Sequence, residues 1–379
     1  MSASHADVLV IGAGSAGMSA GYYLARRGAR VLLIDAFDPP HREGSHHGET
    51  RLIRHAYKKG SAYIPLALRA DELWRELERE AETELLVRSG VINIADPEHY
   101  SFRNRPDDAR AFGVPVEMLD AAEMRRRWPG LALPDHFIGM YEPEAGYLFS
   151  ERAISVFRRL AEAAGAKLVT NAPVLRVTAD GDGVAAETAE GVFRAEQALI
   201  SVGAAFGRLS PFVSFPLRPL RIPVGWFETS SGDYRAGRFP GFTLHTAEGG
   251  YYGFPDTGGG LKIGKHDGGR DWTPGEPLRP FGHYDTDEPS LRGVVAKYMP
   301  GAAGRLLQSS VCKYEFTPDE DFVIDRHPAH PHVLVIGGLS GHGFKFASVL
   351  GEIAADLLLD GRTRFDLGAF SLDRFDRKA

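Results

Sequence analysis

Residues 44–55 read Gly-Ser-His-His-Gly-Glu-Thr-Arg-Leu-Ile-Arg-His, with three histidines and two arginines in twelve positions. Arg51 and Arg54 flank the apolar pair Leu52-Ile53, which predicts a segment buried on one side. An arginine held against buried apolar residues generally has an anion to bind, although a solvated loop would show the same composition. Two lysines extend this chemistry. In Leu261-Lys262-Ile263-Gly264-Lys265-His266 the alternation puts Lys262 opposite the aliphatics, facing solvent or a cavity. Lys345 follows the glycine-rich Gly337-Gly338-Leu339-Ser340-Gly341-His342-Gly343-Phe344 and opens a helix. There a cation opposes the helix dipole unless an anion compensates it. The expected chemistry is the grip of an anion.

These groups must be carried by a scaffold, and the amino-terminal stretch supplies its first unit. An aliphatic run over 8–11 is followed by Gly12, Gly14 and Gly17 and a helical pattern to Arg27. A second aliphatic run over 31–34 ends at Asp35, eighteen positions after Gly17. Gly12 permits the tight turn, Gly14 lets backbone approach a pyrophosphate, and Gly17 lets helix and strand pack closely. The helix opening at Ser15 points free N–H groups at that phosphate. Asp35 is placed to accept from a ribose hydroxyl. Arg26, Arg27 and Gly28 close the helix. The unit predicts a dinucleotide site and leaves NAD and FAD both open.

At 379 residues the chain exceeds one ordinary core, so two domains are expected. The net charge of −6 offers no basic field for nucleic acid. No run approaches ~18 uncharged apolar residues, so no membrane span is expected. The first apolar run lacks the basic preface of a signal peptide. A single cysteine, Cys312, excludes an intrachain disulfide and suits a reducing, cytoplasmic setting.

Helices are expected over 63–80, from the capping-box spacing at Asp120 to Pro129, from a Ser150 cap to Ala164, and over 346–359. Strands are expected over 87–95, 137–142, 167–170, 184–188, 197–203 and 333–337. Prolines 211, 216, 219 and 223 mark a crossing out of the nucleotide unit, and 224–264 reads as strand rich in aromatics and glycine.

Taken together, the GAGSAGMSAGYYLA turn, GSHHGETRLIRHAY, YYGFP, LKIGKH, the Val311-Cys312-Lys313-Tyr314 segment and GLSGHGFKFASVLGEIAADL resemble one family throughout the chain. This is the monomeric sarcosine oxidase and N-methyl-L-tryptophan oxidase family of flavoprotein amine oxidases. VRSGVINI and Asp319-Glu320-Asp321-Phe322 look closer to the N-methyltryptophan branch.

The resemblance implies a two-domain α/β fold. A Rossmann-like FAD domain would comprise 1–85, 147–212 and 320–379, and an antiparallel-sheet substrate domain 86–146 and 213–319. It implies FAD joined to Cys312 by a thioether. The implied reaction takes two electrons from a secondary N-methyl amino acid and passes them to dioxygen, giving the amino acid, formaldehyde and hydrogen peroxide. Arg54 and Lys345 match the substrate carboxylate pair, and Lys262 matches the lysine where oxygen is activated. Tyr252, His266 and Arg51 match further catalytic positions. Ser45, His46, His47, Thr50, Val174, Gly203, Tyr314, Gly341, Gly343 and Phe344 join Gly12, Gly14, Ser15, Gly17 and Asp35 in holding the cofactor. No metal is implied, and a monomer is expected.

Ala205 stands where relatives usually carry tryptophan. Thr243 stands where the sarcosine enzymes tend to carry methionine, which leaves room for a larger substrate side chain. The rival readings are a sarcosine oxidase, or an oxidase of a cyclic imino acid or a glycated amino acid. Outside the oxidases they are an NAD-linked dehydrogenase or an inert flavin-binding protein.

Overall fold

The computed structural model describes residues 6–57 and 59–376. Its first strand, Ala6–Ile11, is aliphatic and nearly sealed from solvent, as a strand covered on both faces must be. It lies between Val31–Ile34 and Gly191–Ile200, parallel to both, in a sheet of eight strands. Helix Ser15–Arg26 covers one face and packs on the distant helix Ala347–Ala355. A Cβ on Gly351 would stand 2.2 Å from Ser19 Oγ, so a glycine is needed where the helices cross.

The second sheet has nine strands, among them Val91–Ala95, Arg218–Phe227, Gly241–Thr246, Gly249–Phe254, Leu261–Lys265 and Leu306–Phe316. Ile92, Ile94, Phe242, Leu244 and Ile263 pack on one side in a core with Leu291, Val294 and Val295 of helix Asp287–Tyr298. Alternation turns Asn93, Thr243 and His245 to the opposite face. A small third sheet joins Thr50–Ile53 to Gly146–Phe149 and Leu86–Val87. Its first strand therefore carries Arg51 at a fixed register.

Several expectations need correction. The single strand over 87–95 is two, Leu86–Val87 and Val91–Ala95 in different sheets, because the chain turns at Gly90 with φ +68°. Ser150 is not the cap of its helix. Phe149 is, and the buried Ser150 hydroxyl has no partner among the described residues. The strand expected over 197–203 runs Gly191–Ile200, and Gly203 opens a 3-10 turn. Pro219 and Pro223 lie inside the strand Arg218–Phe227 instead of marking only a crossing. The last helix is split into a 3-10 turn Phe344–Phe346, the α-helix Ala347–Ala355 and a π-turn Asp356–Asp360. Asp120 does cap its helix, its Oδ1 accepting from the Glu123 N–H at 2.7 Å. Among the described residues no helix is long and apolar enough to cross a membrane, and no cluster of His, Cys, Asp or Glu is arranged to hold a metal.

Candidate active site

A cavity of about 700 Å³ runs from the glycine turn to the polar face of the nine-stranded sheet. Gly12, Gly14, Ser15, Asp35, Val174 and Gly203 line it at the turn. A Cβ on Gly14 would meet nothing within 4 Å, so open space abuts the backbone there. No side chain caps the helix that Gly14 precedes, leaving its first N–H groups free for an anion. Gly17 serves packing, since a Cβ there would stand 1.8 Å from the Gly12 carbonyl oxygen. Asp35 Oδ2 accepts from the Ala13 N–H at 2.7 Å and Oδ1 from the Phe37 N–H at 2.9 Å. The carboxylate expected to meet a ribose therefore also braces the turn.

Midway, Ser45, His46, Arg51, Tyr252, His266, Tyr314, Gly341, Gly343 and Phe344 line the cavity. Gly341 has φ +72°, and a Cβ would stand 2.4 Å from the Tyr314 ring. Arg51 donates to the carbonyls of Thr50 and Ser45, both at 2.7 Å, and to that of His47. These bonds hold its Nη2 4.0 Å from Cys312 Sγ. Burial, aided by His41 and Arg51, pushes His46 down to about 3, so its imidazole is neutral.

Four expected residues stand behind the wall, not on it. His47 sets Nδ1 2.9 Å from the Gly44 carbonyl oxygen. Cys312 is buried among Leu220, Ile222, Val224, Trp226 and Tyr314. Lys262, expected to face solvent or a cavity, is 3% exposed. It donates to the Gly48 carbonyl, to the Thr50 carbonyl at 3.0 Å and to Thr50 Oγ1 at 3.1 Å. Thr50 is thus its acceptor and itself lies off the cavity. Rings of Phe254 and Trp226 stand 4.6 and 5.1 Å from the Lys262 nitrogen. Burial first and Arg51 second push Lys262 down to about 7.

At the sheet end the cavity meets Arg54, Thr243 and Lys345. Arg54 Nη1 donates to Asn93 Oδ1 at 2.9 Å, while its buried Nε has no partner among the described residues. Lys345 donates to the His342 carbonyl at 2.6 Å, not to an acid. Burial and then Arg54 hold it well below the usual lysine range. The nearby carboxylate, Glu142, is already committed. It accepts from the N–H groups of His55 and Ala56 at 2.8 and 3.0 Å and lies 3.7 Å from Arg105. The half-buried Arg54 and the buried Lys345 share one place with no acid of their own, an arrangement that an incoming anion relieves.

Asn93 escaped the sequence reading, although an asparagine inside the apolar run Val91–Ala95 is a signal. It accepts from Arg54 and, at 3.0 Å, from the Thr243 hydroxyl. Tyr100, His245 and Glu315 also line the cavity without having been expected there. Burial pushes the Glu315 carboxyl up to about 7.

A family model described as FAD dependent oxidoreductase matches residues 7–357. The chain belongs to this family. Monomeric sarcosine oxidase of Bacillus sp. (strain B-0618) is 44% identical over 98% of this chain and 96% of its own. N-methyl-L-tryptophan oxidase of Citrobacter koseri is 45% identical over 97% of this chain and 99% of its own. Two solved structures share the fold at 22% identity. One is NikD, an unusual amino acid oxidase essential for nikkomycin biosynthesis (TM-score 0.85, 97% of each chain). The other is L-proline dehydrogenase from P. horikoshii (TM-score 0.86, 99% and 98%). For this FAD-dependent oxidoreductase the glycine turn fits the cofactor, with open space at Gly14 and an uncapped helix end beside it.

Proposed function

We propose that this FAD-dependent oxidoreductase is an N-methyl-L-amino-acid oxidase with its flavin tethered to Cys312. The observation that carries the reading is the Arg54–Lys345 pair, two basic side chains in the cavity that begins at the glycine turn, bonded to the Asn93 amide oxygen and the His342 carbonyl and not to an acid. The names of the sarcosine and N-methyltryptophan relatives support it. The glycine turn, Asp35 and Val174 would hold the adenosine and pyrophosphate. Ser45, His46, Arg51, Tyr314, Gly341, Gly343 and Phe344 would surround the ring, with His47 and Thr50 supporting from behind. Segments 1–85, 147–212 and 320–379 would form the cofactor domain, and 86–146 with 213–319 the substrate domain.

When bound, FAD supplies a two-electron acceptor that returns those electrons to dioxygen as hydrogen peroxide. Arg54 and Lys345 bind the substrate carboxylate and fix the position of its N-methyl group. Tyr252 and His266 flank the amine, and burial holds the Tyr252 phenol above its ordinary range, keeping its proton. Lys262 offers a positive charge where oxygen becomes negative. The imine product hydrolyses to formaldehyde and the amino acid.

The small Thr243 favours a large substrate side chain, N-methyltryptophan over sarcosine. A screen following peroxide across N-methyl amino acids of increasing side-chain size tests both levels. Turnover of N-methyl acids, rising toward the aromatic members, is expected. Peroxide from none of them overturns the reading, and sarcosine exceeding N-methyltryptophan in kcat/KM overturns the preference. Cys312→Ala should release its flavin on acid precipitation, whereas the parent protein keeps it. Flavin retained covalently by the variant would place the tether elsewhere.

A further inference from the structure

Behind Arg54, two side chains on neighbouring strands of the nine-stranded sheet form a brace. Asn93 lies on Val91–Ala95, between Thr243 of Gly241–Thr246 and Met140 of Ile138–Glu142 in the strand register. It is fully buried in a strand otherwise made of aliphatic residues. An apolar side chain of similar size would fill that place with no polar group to satisfy. The amide is therefore there for what it bonds.

Its orientation follows from its partners. The Met140 carbonyl can only accept, and it stands 3.0 Å from Asn93 Nδ2, with Glu142 Oε1 at 3.1 Å from the same nitrogen. Arg54 can only donate, and its Nη1 meets Oδ1 at 2.9 Å. The Thr243 hydroxyl donates to that oxygen at 3.0 Å and Arg105 Nη2 at 3.4 Å, so the acceptor is held from three sides.

Glu142 takes hold of the same stretch by its backbone. Its Oε2 accepts from the His55 and Ala56 N–H groups at 2.8 and 3.0 Å, the two peptide groups that follow Arg54. Arg105 Nη2 adds a bond to the Ala56 carbonyl at 3.0 Å. One connected pair thus fixes the main chain beside Arg54 and the tip of its guanidinium. An arginine already held in one geometry loses less freedom on gripping a ligand, which favours binding.

We infer that Asn93 is a positioning residue: backed by Glu142, its amide oxygen holds the Arg54 guanidinium in place for an incoming carboxylate. The inference rests on the oxidase reading, in which that carboxylate is the substrate's, and adds the group that sets the arginine's aim. Asn93 acts only through Arg54 and is not part of the cavity lining.

The test compares phenylacetate with phenylacetamide on the flavin-loaded enzyme, binding being followed by perturbation of the flavin absorbance. The ratio of the two dissociation constants reads the grip on charge and needs no turnover. Wild type should prefer the acid by at least about 30-fold, the low end for a buried charge pair. Asn93→Leu should cut that preference by about 10-fold, the size of one hydrogen bond to a charged group, and leave the amide's affinity unchanged. In an Arg54→Met background the same substitution should not change the ratio further. Asn93→Asp keeps the shape of the side chain but gives Arg54 an acid of its own. It should therefore lower the preference at least as much, and it serves if the leucine variant does not fold. For N-methyl amino acids, kcat/KM should fall with the ratio while reoxidation by oxygen keeps its rate. An acid preference unchanged in the folded variants, or acid and amide weakened equally, overturns the inference and leaves the oxidase reading intact. A wild type that binds acid and amide equally, or gives no peroxide from any N-methyl acid, overturns the oxidase reading itself.

Discussion

Lys262→Met should slow reoxidation of the reduced enzyme by oxygen by about 10²–10³-fold, the usual cost of removing one preorganised charge from a developing anion. Reduction by substrate should change far less, because the proposed substrate grip belongs to Arg54 and Lys345. Lys262 is suited to a single charge-stabilising task. Its three protons point at the Gly48 carbonyl and at two Thr50 oxygens, so the ammonium is fixed before oxygen arrives. Its ordinary value near 10.5 is pushed down to about 7, burial being the larger cause and Arg51 the next. The charged form is the low-pH form. The wild-type reoxidation rate should therefore be high below pH 7 and fall as pH rises through about 7, and the methionine variant should lose that limb. Stopped-flow measurement of the two half-reactions checks both. Equal slowing of reduction and reoxidation would remove Lys262 from oxygen chemistry.

Much of this site was readable from residue order because local rules fix it. Gly12 and Gly17 each answer a steric demand that survives in the fold, while Gly14 borders open space. The alternation around Lys262 correctly set it opposite Leu261 and Ile263. Alternation specifies a face and says nothing of what covers it. Here the loop at Gly48–Thr50, distant in sequence, closes over the lysine and makes it buried. Ser150 failed as a cap for a related reason. The Glu151 carboxylate there accepts from the Gly48 and Glu49 N–H groups at 3.0 Å, tying that loop to the helix start. His245 and Tyr100 were illegible because their rings stack between a strand and a loop some 145 positions earlier, and neither residue type is unusual in its own segment. Asn93 was legible in principle. A buried amide inside an aliphatic strand costs stability unless it is bonded, and this one is bonded to Arg54, Thr243, Met140 and Glu142.

Arg54→Met should lower kcat/KM for N-methyl amino acids by roughly 30- to 5,000-fold, the range for removing one partner of a buried charge pair, about 2–5 kcal/mol. Lys345→Met should fall in the same range, and the double variant should lose less than the product, because both side chains serve one carboxylate. Stability should move the other way. Without substrate, Arg54 has a buried Nε with no partner among the described residues and repels a buried lysine held well below its usual range. Removing the guanidinium relieves that repulsion and moves Lys345 back toward its usual range, so the substrate-free enzyme should melt at a higher temperature than wild type. Saturating substrate analogue should then raise the melting temperature of wild type more than that of the variant, since ligand stabilisation scales with its affinity. Binding sites that stay strained until filled show this opposition of stability and activity. A variant that lost both activity and melting temperature would mean that Arg54 is a structural residue, and that the anion it awaits is not the substrate's.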